Sequence, residues 1–156
     1  MLYLSSMIKL LRTDSQNPDF IYLVKRLDAY LAVLDGEEHA FYNSLNKIDS
    51  LQQVIVAYEN AKPVGCGAIR QHEPGTMEVK RMYTLEDQRG KGIASKILNE
   101  LETWAAEMQC EKCVLETGMR QTEAVLFYQK NGYQRIPNYG QYAGVENSLC
   151  FQKMIG

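Results

Sequence analysis

The sequence predicts a mixed α/β fold in which a central, mostly antiparallel, twisted sheet carries helices on both faces. Three observations lead there. Hydrophobic residues recur at helical spacing in some segments and at strand spacing in others. Three consecutive strand-like runs in the middle are joined by short turns, which is how an antiparallel meander reads. A strand–helix–strand–helix–strand order follows them, and helices in such an order pack on sheet faces. At 156 residues, the chain is expected to form a single domain spanning 1–156, long enough to bury a sizeable core.

The elements follow in order. Residues 7–14 (MIKLLRTD) read as a first strand. Asn17 is a helix N-cap type and Pro18 suits the first helical position; Phe20, Leu23, Val24, Leu27, Leu31 and Leu34 then form one apolar stripe. Gly36 can close that helix in a left-handed conformation. EEHAFYNSLNKI, residues 37–48, is expected as a shorter helix or an irregular connection. QVIVAY and VGCGAIR, separated by ENAK and Pro63, form a hairpin signal, and EPGT marks the next turn. MEVKRMYTL is the third strand of the meander, with Arg81 and Met82 breaking its in–out alternation; a β-bulge there accounts for the break. A second amphipathic helix is marked by Ile93, Ile97, Leu98, Leu101, Trp104, Ala105 and Met108. CVLET is a further strand, TEAVLFYQKNG a third helix closed by Asn131 and Gly132, and NSLCFQKM a last strand in which Leu149 and Phe151 alternate with polar neighbours.

Composition excludes several classes of function. A formal net charge of −2 argues against a nucleic-acid footprint, and no apolar run approaches the roughly 18 residues of a membrane span. The N-terminus lacks the layout of a signal peptide, so a cytoplasmic setting is expected; Met1 and Met7 both stand open as the natural start, which would make residues 1–6 an extension. Cys110 and Cys113 make a lone C-x-x-C. With no second pair, and with His39 and His72 far away, they and Cys66 and Cys150 are expected as buried or incidental thiols in a reduced compartment. Ligand-type residues do not cluster at metal spacing, so no metal is expected.

The stretch EDQRGKGIASKIL, residues 86–98, carries the chemistry. Two glycines and two cations stand where a strand turns into a helix. A helix start leaves backbone N–H groups unpaired and carries partial positive charge, so an anion can approach them where glycine offers no side chain. A plain surface turn with two solvated cations is the competing reading. The G-x-x-x-x-G-K-[ST] phosphate loop is not present, and Gly90, Gly92 and Ser95 only partly match G-x-G-x-x-G.

Arg89-x-x-Gly92-x-Ala94 resembles the [QR]-x-x-G-x-[GA] pyrophosphate loop of the GNAT (Gcn5-related) N-acetyltransferases. EVKRMYT before it resembles that family's splayed, bulged central strand, and EAVLFYQKNGY its late helix; the resemblance covers roughly residues 7–155. It implies a sheet splayed at the bulged strand and acetyl-CoA as cosubstrate. Arg89, Gly90, Lys91, Gly92, Ile93, Ala94 and Ser95 would wrap the pyrophosphate, while Met82, Tyr83 and Thr84 would offer main-chain hydrogen bonds to the pantetheine arm. A backbone N–H near Met82 or Tyr83 could donate to the thioester oxygen. By the same resemblance, Tyr128 matches the tyrosine that protonates the departing sulfur, against a packing role. Glu78 matches a glutamate that serves as base, against a solvated or salt-bridged carboxylate next to Lys80, and a water relay is a further route for the proton. Tyr133 is assigned to the core.

The implied function is transfer of acetyl from acetyl-CoA to a primary amine, preferably on a small molecule, with a homodimer allowed by the resemblance. Arg70, His72, Glu73, Lys80 and Arg81 lie on or near the hairpin strands, and the loop PNYGQYAG with Tyr139 and Tyr142 suits the shaping of an acceptor pocket or a rigid surface turn. Two other classes compete: a non-catalytic acyl-CoA binding or sensing module on the same fold, and a nucleotide-binding domain resting on the glycine turn alone.

Overall fold

A computed structural model describes residues 7–35 and 51–156. Residues 1–6, which would be an extension if Met7 were the start, Gly36 and the segment 37–48 lie outside them. The described elements are β1 (Ile8–Thr13), α1 (Pro18–Asp35), β2 (Gln53–Glu59), β3 (Lys62–Glu73), β4 (Thr76–Thr84), α2 (Ile93–Glu107), β5 (Lys112–Gly118), α3 (Thr122–Lys130), β6 (Gln134–Ile136) and β7 (Ser148–Met154). The strands form one seven-stranded sheet in the order β1-β2-β3-β4-β5-β7-β6. Every neighbouring pair is antiparallel except β4 and β5, which run parallel and therefore need α2 as their crossover.

Local chemistry explains most boundaries. Asn17 Oδ1 accepts hydrogen bonds from the N–H groups of Asp19 and Phe20, at 2.9 and 3.0 Å, and so caps α1. β2 and β3 are joined by Asn60 and Ala61, both in the left-handed region (φ 51° and 66°), as a two-residue hairpin turn with matching twist demands. Gly75 (φ 79°) turns β3 into β4, and Gly132 (φ 92°) follows the end of α3.

Helices cover both faces. On one, Phe20, Leu23, Val24 and Leu27 of α1 pack with Val54, Val56, Cys66 and Ala68. On the other, Ile93, Ile97, Leu98, Leu101 and Ala105 of α2 pack with Ile55, Ile69, Val79, Leu115 and Phe151. Burying an aliphatic side chain of this size is worth about 1.5–3 kcal/mol, so both stripes anchor their helices firmly.

Three expectations need correction. Met108 does not continue the α2 stripe: it is 42% exposed just past the helix, its N–H bonded to the carbonyls of Trp104 and Ala105. Phe151 is buried as expected, but its neighbour Cys150 is fully buried too and Leu149 only partly, because β7 lies inside the sheet between β5 and β6 and is covered on both faces. The short strand β6 carries no pattern that would announce it; it forms by pairing with Gln152, Phe151 and Cys150.

Candidate active site

β4 and β5 pair only at their first residues, where Thr76, Met77 and Glu78 face Lys112, Cys113 and Val114. Beyond Glu78 the two strands part. The bulge expected from the broken alternation lies on the far side of the same strand. Cys66 pairs with Tyr83 and Ala68 with Lys80, so Gly67 alone stands opposite Arg81 and Met82. Arg81 takes φ 59°, a conformation that costs a non-glycine residue about 1–2 kcal/mol. Its guanidinium Nη1 donates to Asp28 Oδ1 of α1 at 2.8 Å, and its carbonyl accepts from Cys66 Sγ at 3.3 Å; these contacts hold the bulge. Gly67 has no room for a side chain, since an added Cβ would collide with Met82 Sδ and come within 3.0 Å of Ile97 and Leu101.

The parting opens a cavity of about 530 Å³. Met82, Tyr83 and Thr84 line it from β4, and Arg89, Gly90, Gly92, Ile93, Ala94 and Ser95 from the glycine turn and the start of α2. Ala124, Phe127 and Tyr128 close it from α3, and Leu27 and Tyr30 from α1. Nearly all the residues expected around a CoA-like ligand thus share one cavity. Lys91 does not: its Nζ turns to Gln88 Oε1 at 2.8 Å and Glu59 Oε1 at 3.5 Å.

At the turn, Gly90 (φ 82°) and Gly92 (φ 79°) take left-handed backbone, with open space where a Cβ would stand. Gly92 is the N-cap of α2, and the first intrahelical bond of the turn runs from Lys96 N–H to Gly92 carbonyl at 3.1 Å. The N–H groups of Ile93, Ala94 and Ser95 precede that bond, so the helix start presents donors and a positive dipole end toward the cavity. Arg89 is more than a rim cation. Its Nε donates to Thr84 carbonyl at 3.0 Å, and its guanidinium lies over the rings of Tyr30 and Tyr83 at 4.9 and 5.8 Å, which fixes the turn to β4 and α1.

Tyr128 is buried in α3 with its ring against Phe127 and Tyr133. It lines this cavity and a smaller one of about 100 Å³ beside it, between the parted strands. Burial, with the charge of Glu116, holds its phenol above the ordinary tyrosine value, so it stays protonated and able to donate throughout the neutral range. Tyr133 sits in the core as expected and donates to Glu102 Oε2 at 2.9 Å; Glu102 Oε1 accepts from Lys153 at 2.9 Å.

Glu78 is 2% exposed and held on both oxygens. Oε1 accepts from Arg70 Nη2 at 3.0 Å and lies 3.6 Å from Lys80 Nζ; Oε2 accepts from the Tyr139 hydroxyl at 2.6 Å. Tyr139 comes from the loop singled out in the sequence. Its ring lies 4.7 Å from that of His72, tilted by 59°, and its neighbour Tyr142 is wholly buried and lines the smaller cavity. Sequence reasoning missed the partnership of Glu78 and Tyr139, 61 positions apart, and the placing of half-buried Glu116 and buried Thr117 around the smaller cavity. No periodicity marks residues brought together only by the sheet.

All four cysteines are free and buried. Burial pushes the thiols of Cys66 and Cys113 up to about 12, which makes them inert packing groups. Among the described residues, no group of three or more histidine, cysteine or acidic side chains could hold a metal ion, and no helix is long and apolar enough to cross a membrane.

Comparison with known proteins gives a consistent result. Residues 13–133 match the family model of the acetyltransferase (GNAT) family. The IAA acetyltransferase of Azospirillum brasilense is 32% identical over 140 residues, covering 86% of this chain and 90% of the relative. An acyl-CoA N-acyltransferase structure from Klebsiella pneumoniae superposes with a TM-score of 0.81 at 29% identity, covering 96% of this chain and 99% of the other. The fold also matches, at TM-score 0.68 and 18% identity over 94% and 97% of the two chains, a GNAT acetyltransferase from Elizabethkingia anophelis solved with acetyl-CoA bound.

Proposed function

The chain belongs to the acetyltransferase (GNAT) family, and from that premise we propose that it transfers the acetyl group of acetyl-CoA to a primary amine on a small molecule. One observation carries the reading. The parted strands, the bulge and the donor-rich start of α2 line a single cavity, and Tyr128 lies where this cavity meets the smaller one.

In this reading the pyrophosphate rests on the N–H groups of residues 92–95, with Arg89 holding the turn and adding charge. Met82, Tyr83 and Thr84, on the strand edge that β5 has left, take the pantetheine arm by main-chain hydrogen bonds. The smaller cavity receives the amine. Attack on the thioester carbonyl drives charge onto oxygen and then sulfur. A main-chain N–H at the bulge stabilises the first, and Tyr128 protonates the second. Glu78 governs the charge of the acceptor side through Arg70, Lys80 and Tyr139. Four free cysteines fit a reducing, cytoplasmic setting.

The test is calorimetric titration with acetyl-CoA, with ATP and NAD as controls, followed by a screen of primary amines for thiol release. Selective acetyl-CoA binding with amine-dependent thiol release is the expected outcome. Binding of ATP or NAD in its place would return the glycine turn to the nucleotide-binding reading; acetyl-CoA binding without turnover on any amine would favour a sensor.

A further inference from the structure

Given the acetyl-transfer reading above, on which this rests, we propose that Lys80 receives the proton that the acceptor amine must lose before attack, and that Glu78 positions Lys80 and does not itself take the proton. An ordinary buried ion pair between Lys80 and Glu78 would be the simpler account, but the geometry does not favour it. Glu78 Oε1 already accepts from Arg70 at 3.0 Å, and Lys80 lies farther off, at 3.6 Å. Its other oxygen is taken by Tyr139. Two cations therefore share one oxygen of one carboxylate. A guanidinium does not shed its proton in a protein, so the cation that can become neutral is Lys80. Arg81, next along the strand, is matched by Asp28 at 2.8 Å.

Position agrees with charge. Lys80 is 5% exposed and lines the 100 Å³ cavity together with Glu78, Glu116, Thr117, Tyr128 and Tyr142. Its Nζ is 3.4 Å from the Tyr142 hydroxyl. Thr117 Oγ1, buried on the β5 side of the same cavity, has no hydrogen-bond partner among the described residues and can accept from an incoming amine. Tyr128, the proposed proton donor to sulfur, lines the same space. The groups around Lys80 are Glu78 and Arg81 on β4, Arg70 on β3, Glu116 on β5, Tyr128 on α3, and Tyr139 and Tyr142 from the loop. Burial lowers the Lys80 ammonium below the ordinary lysine value, Arg70 and Arg81 lower it further, and Glu78 and Glu116 oppose them without cancelling the effect.

The step balances. The amine arrives as R–NH3⁺ and neutral Lys80 takes one proton. The freed lone pair forms the N–C bond at the thioester carbonyl, and the C–S bond breaks with its electron pair on sulfur. Tyr128 protonates the sulfur and recovers a proton from the acetylated nitrogen, while Lys80 returns its proton to solvent. The sum is an amide, free thiol and one H⁺.

The experiment compares wild type with Lys80→Arg, which fixes the protonated state and so cannot accept a proton. It uses acetyl-CoA with ethanolamine, cadaverine and glycinamide as acceptors, and reads kcat/KM against pH. Lysine labelled with ¹³C at Cε reports the titration of Lys80, assigned by its loss in the variant. Lys80 is expected to titrate below the other lysines. Lys80→Arg should lose about 100-fold in kcat at neutral pH, along with the acidic limb of the profile, while acetyl-CoA affinity stays within twofold. Lys80→Met, checked by circular dichroism, serves if the arginine does not fit. Either variant with wild-type rates and an unchanged pH limb overturns the Lys80 assignment and leaves the acetyl-transfer reading standing, as does a Lys80 resonance that titrates with the surface lysines. Wild type that releases no thiol with any amine removes both.

Discussion

Gly67→Ala tests the connection between the bulge and the cosubstrate cavity. A Cβ at Gly67 would collide with Met82 Sδ and meet Ile97 Cγ2 and Leu101 Cδ1 at 3.0 Å. The methionine end can swing, but Ile97 and Leu101 are fully buried in the α2 stripe and have nowhere to go. Overpacking of this kind costs about 1–3 kcal/mol. For a chain of this size that lowers Tm by about 2–12 °C, at about 2–4 °C per kcal/mol. Met82 lines both the 530 Å³ and the 100 Å³ cavities and can yield only into the ligand site they form, so acetyl-CoA affinity should fall together with stability. Thermal unfolding and calorimetry on Gly67→Ala, Met82→Ala and the double variant separate the effects. The double variant should be more stable than the sum of the single losses predicts, with a coupling of about 0.5–3 kcal/mol. Additive losses, or a Gly67→Ala protein with unchanged Tm and unchanged affinity, would refute the claim that this glycine exists to seat Met82 at the bulge.

Three further outcomes follow from the site. Gly92→Val places a β-branched side chain at φ 79° where a Cβ itself has free space, so the fold should survive with a strain of about 1–2 kcal/mol while calorimetry shows acetyl-CoA binding lost; retained affinity would remove the helix start from the ligand site. Tyr128→Phe should lower kcat about 100-fold with acetyl-CoA affinity nearly intact, and equal losses in both would return Tyr128 to a packing role. Arg89→Ala should weaken acetyl-CoA binding more at low salt than at high salt; because the guanidinium also ties Thr84, Tyr30 and Tyr83 together, a salt-independent loss would mean that it acts only through the shape of the turn.

Much of this molecule was legible from local chemistry. The Asn17 cap, the turn at Gly75, the helix end at Gly132 and the left-handed glycines before α2 each follow from what one residue type allows its own backbone. The bulge was legible for a related reason, since Arg81 and Met82 interrupt a period of two and an extra residue restores it. The residues expected around the ligand lie at one cavity except Lys91, whose neighbours Glu59 and Gln88 draw it away; in sequence it is indistinguishable from Arg89.

What pattern alone decided, then, was where the helices and every strand but β6 begin, which faces they bury outside β7, and where the chain offers bare backbone to an anion. These are short-range matters of φ and ψ, capping and side-chain period. The tertiary structure alone decided that β4 leaves β5 after three pairs, that β6 joins the sheet outside β7, and that Glu78, Lys80, Arg70, Tyr139 and Tyr142 come together on it. Such groupings depend on pairings between residues as much as 62 positions apart, set by the packing of whole elements and by the cost of leaving a buried charge without a partner.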